Sequence, residues 1–136
     1  MIKKRKKVST MIKIKRAYEA FDSSDGYCVL VDRLWPRGIK KESLRLDEWI
    51  KEITPSTELR KWFNHEPQRF EEFAHHYGDE LEHNKKAMDI LETLSNKSQT
   101  ETITFIFAAK SYTVNHVRVL VDFMKRHFQA KVDDSP

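Results

Sequence analysis

The chain has 136 residues, with 25 Lys and Arg against 21 Asp and Glu and a formal charge of +4. That length suits one domain with a sizeable core, and three Trp, eight Phe and four Tyr beside only three Gly and four Pro argue against a loop-rich or all-β fold. No apolar run is as long as a membrane span, no apolar segment follows the basic start as a secretory signal requires, and a single cysteine, Cys28, excludes an internal disulfide and fits a reducing cytoplasm.

Residues 1–10 hold Lys3, Lys4, Arg5, Lys6 and Lys7 and no acid. They leave 20 basic against 21 acidic residues in 11–136, a net of −1. The basicity therefore belongs to a tail, expected as a solvated, flexible extension suited at most to nucleic acid or an anionic surface. Outside the tail the charge argues against a nucleic-acid binder. One domain is expected over 11–130, with 131–136 a frayed polar end.

The alternation Ile12-Lys13-Ile14-Lys15 predicts a half-buried strand over 11–19, near a sheet edge. Asp22 to Gly26 is a turn cluster. The unbroken apolar run Cys28 to Val31 predicts a second strand, 27–33, buried on both faces as in a parallel sheet under helices. Leu46, Trp49, Ile50 and Ile53 fall at i, i+3, i+4, i+7, which predicts a helix capped by Ser43 and closed at Thr54-Pro55. Thr54 is then expected to cap a second helix with Pro55 at its first position and Leu59, Trp62 and Phe63 inward. Phe70, Phe73, Ala74, Tyr77 and Leu81 mark a third helix, and Ala87, Met88, Leu91 and Leu94 a fourth. Residues 102–109 read as the third strand. The last helix carries Val117, Leu120, Val121, Met124 and Phe128 inward behind a cap at Thr113 or Asn115. The sum is an α/β fold, a small and largely parallel sheet of about three strands packed by about five helices.

Ligands of open α/β sheets bind beyond the carboxyl ends of the strands. There the second strand offers Asp32, Arg33, Trp35 and Arg37, the third offers Lys110, and the start of the last helix offers Asn115 and His116. Read functionally, this is a small anion pocket. Arg33, Arg37, Lys110, Trp35 and Asn115 bind the ligand, and Asp32 or His116 acts as general acid or base. Read structurally, Asp32 pairs with Arg37 or Lys110 and pins the strand end. Trp49 and Trp62 read as buried core. His75, His76 and His83 have no further ligand in register and read as surface, so no metal site is expected. Glycine-rich dinucleotide or phosphate loops and a nucleophile elbow are absent.

Gly-Tyr-x-Val-Leu-Val-Asp-Arg-Leu-Trp-Pro-Arg-Gly at 26–38, Leu-Asp-Glu-Trp at 46–49, Pro-Ser-Thr-Glu-Leu-Arg-Lys-Trp-Phe-x-His at 55–65 and Ala-Ala-Lys at 108–110 before Asn115-His116 occur in one order over residues 12–128. In these motifs the chain resembles the family known as domain of unknown function 488, in its YeaO-like branch. The resemblance implies a compact cytoplasmic α/β domain with a small central sheet. It carries over no catalytic residue, cofactor or substrate. The best-supported expectation is binding of, or action on, a small anionic, phosphorylated or nucleotide-like ligand. The alternative is a nucleic-acid-associated or protein-interaction module without catalysis.

Overall fold

The computed structural model describes residues 10–135. The tail expected over 1–10 thus lies outside them, apart from Thr10. The sheet has five strands: β1 (Ile12–Arg16), β2 (Tyr27–Leu30), β3 (Glu48–Trp49), β4 (Ile103–Phe107) and β5 (Val132–Asp133). Their order is β3-β2-β4-β1-β5, and every pairing is parallel. Four α-helices accompany them: α1 (Thr57–Phe63), α2 (Phe70–Glu82), α3 (Lys85–Lys97) and α4 (His116–Phe128).

The α/β, parallel reading of the sequence holds, and the register explains why. β4 is apolar throughout except for Thr104 and lies centrally, with Ile14 opposite Phe105 on one side and Leu30 opposite Ile106 on the other. Alternate side chains then serve two faces. Ile12, Ile14, Val29, Val31, Ile103, Phe105 and Phe107 pack beneath the helices. Cys28, Leu30, Ile106 and Ala17 form a smaller core on the other face, under Trp35, Ile39, Leu44 and Leu46. That second face is thus roofed by the 34–46 loop rather than by a helix.

Several expectations are corrected. The helix predicted around Leu46–Ile53 is absent. The backbone there is taken instead by the open edge of β2: Asp47 N–H donates to Cys28 O at 2.8 Å, and Ile50 N–H to Leu30 O at 3.0 Å. The helical spacing was also misleading about faces, since Leu46 joins the small core while Ile50 and Ile53 join the large one. Ser43 accordingly caps no α-helix. Ser56, not Thr54, caps α1, its hydroxyl accepting Leu59 N–H. β1 lies between β4 and β5, so it is not an edge strand. The end expected to fray supplies β5, with Ile12 opposite Val132, and Asp134 is held by Arg118. Trp49 and Trp62, both expected to be buried, are each 38% exposed. Among the described residues no helix is long and apolar enough to cross a membrane.

Candidate functional site at the carboxyl ends of β2 and β4

The parallel ladder between β2 and β4 runs one residue past Leu30, where Val31 N–H donates to Ile106 O at 3.0 Å. At the next step a side chain replaces the backbone. Asp32 Oδ2 accepts the N–H of Ala108 at 2.8 Å, so the carboxylate stands where a strand carbonyl would. Its other oxygen, Oδ1, lies 3.2 Å from His116 Nε2. The Asp32 backbone carbonyl takes the indole N–H of Trp49 at 2.6 Å.

His116 opens α4, brought there by the loop that leaves β4. Asn115 caps this helix through Oδ1, which accepts Arg118 N–H at 2.9 Å, and its amide donates to Ser111 O at 2.6 Å. Asn115 is buried, so its amide serves the loop and helix. The His116 Nε2 is also 2.7 Å from Val31 O. A carbonyl oxygen only accepts, so Nε2 carries the proton and shares it between Val31 O and the Asp32 carboxylate. In the neutral ring Nδ1 then holds a lone pair, and it has no hydrogen-bond partner among the described residues. The side chains of Asp32 and His116 are 13% and 18% exposed, so solvent reaches the pair at its rim.

The remaining predicted site residues have other attachments. Arg33 is half-buried, and its Nε donates to Pro55 O at 3.2 Å, which ties the site loop to the start of α1. Trp35 is half-buried, donates to Ile39 O at 2.7 Å and meets Trp49 edge-on at 5.5 Å. Arg37 is exposed on the turn before Gly38, and its carbonyl accepts the Tyr18 hydroxyl at 2.9 Å. Lys110 is exposed just beyond β4. Among the described residues neither Arg37 nor Lys110 has a carboxylate partner. Asp32 is paired with His116 instead.

Three contributors escaped the sequence reading. Arg16 ends β1 and donates from Nε to Ala109 O at 2.9 Å and from its guanidinium to Ala108 O at 3.5 Å. The Ala108-Ala109 segment is therefore held by its N–H on one side and its carbonyls on the other. Glu80 accepts Ser56 N–H at 2.9 Å and its hydroxyl at 2.6 Å, fixing α1. Tyr77 is fully buried and donates its hydroxyl to Ile53 O; burial first, and then Glu80, hold its phenol well above the usual range. The strand expected over 11–19 placed Arg16 within it, so nothing in the sequence marked it as a strand end, where β1 in fact stops. Nothing local marked Glu80 or Tyr77, whose partners are 24 residues away. Among the described residues no three His, Cys, Asp or Glu side chains come together so as to hold a metal ion.

The chain is similar to the uncharacterised protein YeaO of Escherichia coli, with 46% identity over 114 residues, 84% of this chain and 96% of the relative. It is also similar to uncharacterised proteins of Mycobacterium bovis and Mycobacterium tuberculosis, each 40% identical over 115 residues, 85% of this chain and 94% of the relative. No solved structure gives a significant match. The family model described as "Inactive DUF488-N3 subclade" matches residues 11–136, from the residue before β1 through β5, and the chain belongs to that family.

Proposed function

We propose that this domain binds a small anionic ligand, phosphorylated or nucleotide-like, beyond the carboxyl ends of β2 and β4. One observation carries the reading. Asp32, the carboxylate that could have neutralised Arg37 or Lys110, is committed to Ala108 N–H and His116. Arg37 and Lys110, which follow the ends of β2 and β4 in the chain, are left without a described carboxylate partner, and unpaired cations at strand ends suit phosphate or carboxylate. His116 Nδ1 adds an acceptor for a ligand hydroxyl or a protonated phosphate oxygen. The same lone pair suits His116, backed by Asp32, to proton transfer. The description of the subclade as inactive favours binding over turnover.

The test is a thermal-shift series with phosphate, sulfate and nucleoside monophosphates on the wild-type chain and on Arg37→Ala and Lys110→Ala. Binding to the native state raises the melting temperature by mass action. Both variants are expected to keep the unliganded melting temperature and to lose the anion-dependent rise. A wild-type melting temperature that no anion moves would overturn the reading.

A further inference from the structure

The net charge of −1 over 11–136 hides an uneven distribution. Between Arg33 and Leu46 the chain carries Arg33, Arg37, Lys40, Lys41 and Arg45 against one acid, Glu42. Arg37, Lys40, Lys41 and Arg45 are exposed, and among the described residues none lies within ion-pair distance of a carboxylate. On α3 and α4, by contrast, Lys85, Lys86, Lys97, Arg118, Lys125 and Arg126 all have acidic partners. Arg16, Lys51, Arg60, Lys61, Arg69, Lys110 and Lys131 also lack such a partner among the described residues, but the loop that roofs the second face of the sheet is where four exposed, unpaired cations follow one another most closely, from Arg37 to Arg45.

That loop is joined by contacts to two exposed aromatic rings. The Tyr18 hydroxyl donates to Arg37 O, and the Arg16 guanidinium lies 5.2 Å above the Tyr18 ring. The Arg45 guanidinium lies 5.1 Å above the Phe21 ring. Arg16, Phe21 and Arg45 also line one small cavity on this face. Tyr18 and Phe21 are 49% and 46% exposed, so each ring keeps surface free for a partner. The exposed acids Glu19, Asp22 and Glu42 offset part of this charge. Asp25 is buried and paired with Lys15 at 2.7 Å and Lys13 at 3.8 Å. Glu19 accepts Arg16 N–H at 3.1 Å, and Glu42 is exposed.

We propose that this surface binds single-stranded nucleic acid. Phosphates lie on Arg37, Lys40, Lys41 and Arg45, and bases stack on Tyr18 and Phe21. Cations alternating with exposed rings form the usual platform for a single strand, because every base has a face to stack while the backbone is tracked by charge. An acidic peptide would use the cations and leave the rings idle. A duplex keeps its bases stacked on one another, out of their reach. The proposal goes beyond the small-ligand reading and requires neither Asp32 nor His116. Distribution rather than net charge is the deciding quantity here.

The test uses the full chain with Lys3, Lys4, Arg5, Lys6 and Lys7 each replaced by Gln, which silences the basic tail. Fluorescence anisotropy follows a labelled oligothymidylate of about 15 nucleotides, long enough for a single-strand platform. With four phosphate contacts, affinity is expected to fall about 50-fold between roughly 50 and 200 mM salt. Tyr18→Ala and Phe21→Ala should each weaken binding about fivefold or more with the melting temperature unchanged. The combined Lys40→Glu, Lys41→Glu and Arg45→Glu variant should flatten the salt dependence. Absence of binding by the tail-silenced chain would overturn the proposal. So would equal affinity for a duplex of the same length or for polyglutamate.

Discussion

The carboxylate of Asp32 reaches from the end of β2 to the N–H of Ala108 and continues the ladder where the backbone stops. Removing it strands that N–H and takes away the anionic partner of His116. Asp32→Ala is expected to lower stability by about 1–3 kcal/mol, the scale for leaving a buried donor without its acceptor. Asp32→Asn tests the polarity of the arrangement. One amide oxygen still serves Ala108, but the amide NH2 then faces the proton on His116 Nε2, donor against donor. A loss of about 1–3 kcal/mol is expected. Chemical denaturation measures both, and a neutral Asp32→Asn would show that the carboxylate makes no use of the histidine proton.

The Val31 carbonyl fixes the His116 tautomer. Nitrogen NMR of the neutral ring should show Nε2 protonated and Nδ1 with a pyridine-type shift. A proton on Nδ1 in the neutral ring would contradict the donor role of Nε2 and remove the acceptor assigned to a ligand.

Gly26 is the tightest point of the turn before β2. Its φ is +65°, and a Cβ there would stand 2.3 Å from the carbonyl oxygen of Thr102, which itself accepts Tyr27 N–H at 2.8 Å. Gly26→Ala therefore meets both backbone strain and a clash with main chain, and is expected to cost roughly 2–4 kcal/mol. Gly38 has φ +82° but nothing within 4 Å of such a Cβ. Gly38→Ala should lose less in the same denaturation assay, because only the strain remains.

Cys28 is 2% exposed, and burial, with Asp25 and Asp47 adding to it, pushes its thiol from 9.0 up to about 11. The folded state thus holds the proton more tightly than the unfolded chain. The stability this contributes is complete below pH 9, declines above it and is lost as pH passes 11. Cys28→Ala should remove that part of the alkaline loss, read as a smaller fall in denaturation midpoint between pH 8 and 10. At neutral pH a thiol reagent should react with the native protein only at the rate of its opening. Fast labelling without denaturant would contradict the burial.

The elements legible in the sequence were those whose side-chain period survives in the fold. β1 and the helices α2, α3 and α4 show their periods openly because each meets the large core along one face, while β2 and β4 show as unbroken apolar runs because both their faces are buried. The stretch Leu46 to Ile53 was misread for a physical reason. Its apolar residues serve two cores on opposite sides of the sheet, and their helical spacing is a coincidence of crossing from one to the other. β3 and β5, two residues each, are too short to show any period, and they exist because β2 and β1 present open edges. In the candidate site, the sequence located Asp32 and His116 by their places at strand and helix ends. It did not pair them, since 84 positions separate them and neither neighbourhood names the other. Arg16 and Trp49 stayed hidden because their partners are backbone carbonyls, which any residue supplies.

The strand order also constrains how the chain is made. β1 pairs only with β4 and β5, and β2 only with β3 and β4. A nascent chain that has emerged as far as α3 therefore has a single two-residue pairing available, β2 with β3. Ile12 waits for Ile103 and then for Val132. Only β4 lies between β1 and β2, so its arrival joins both sides at once. Loop closure over such separations makes this order slower to assemble than one built on neighbouring strands.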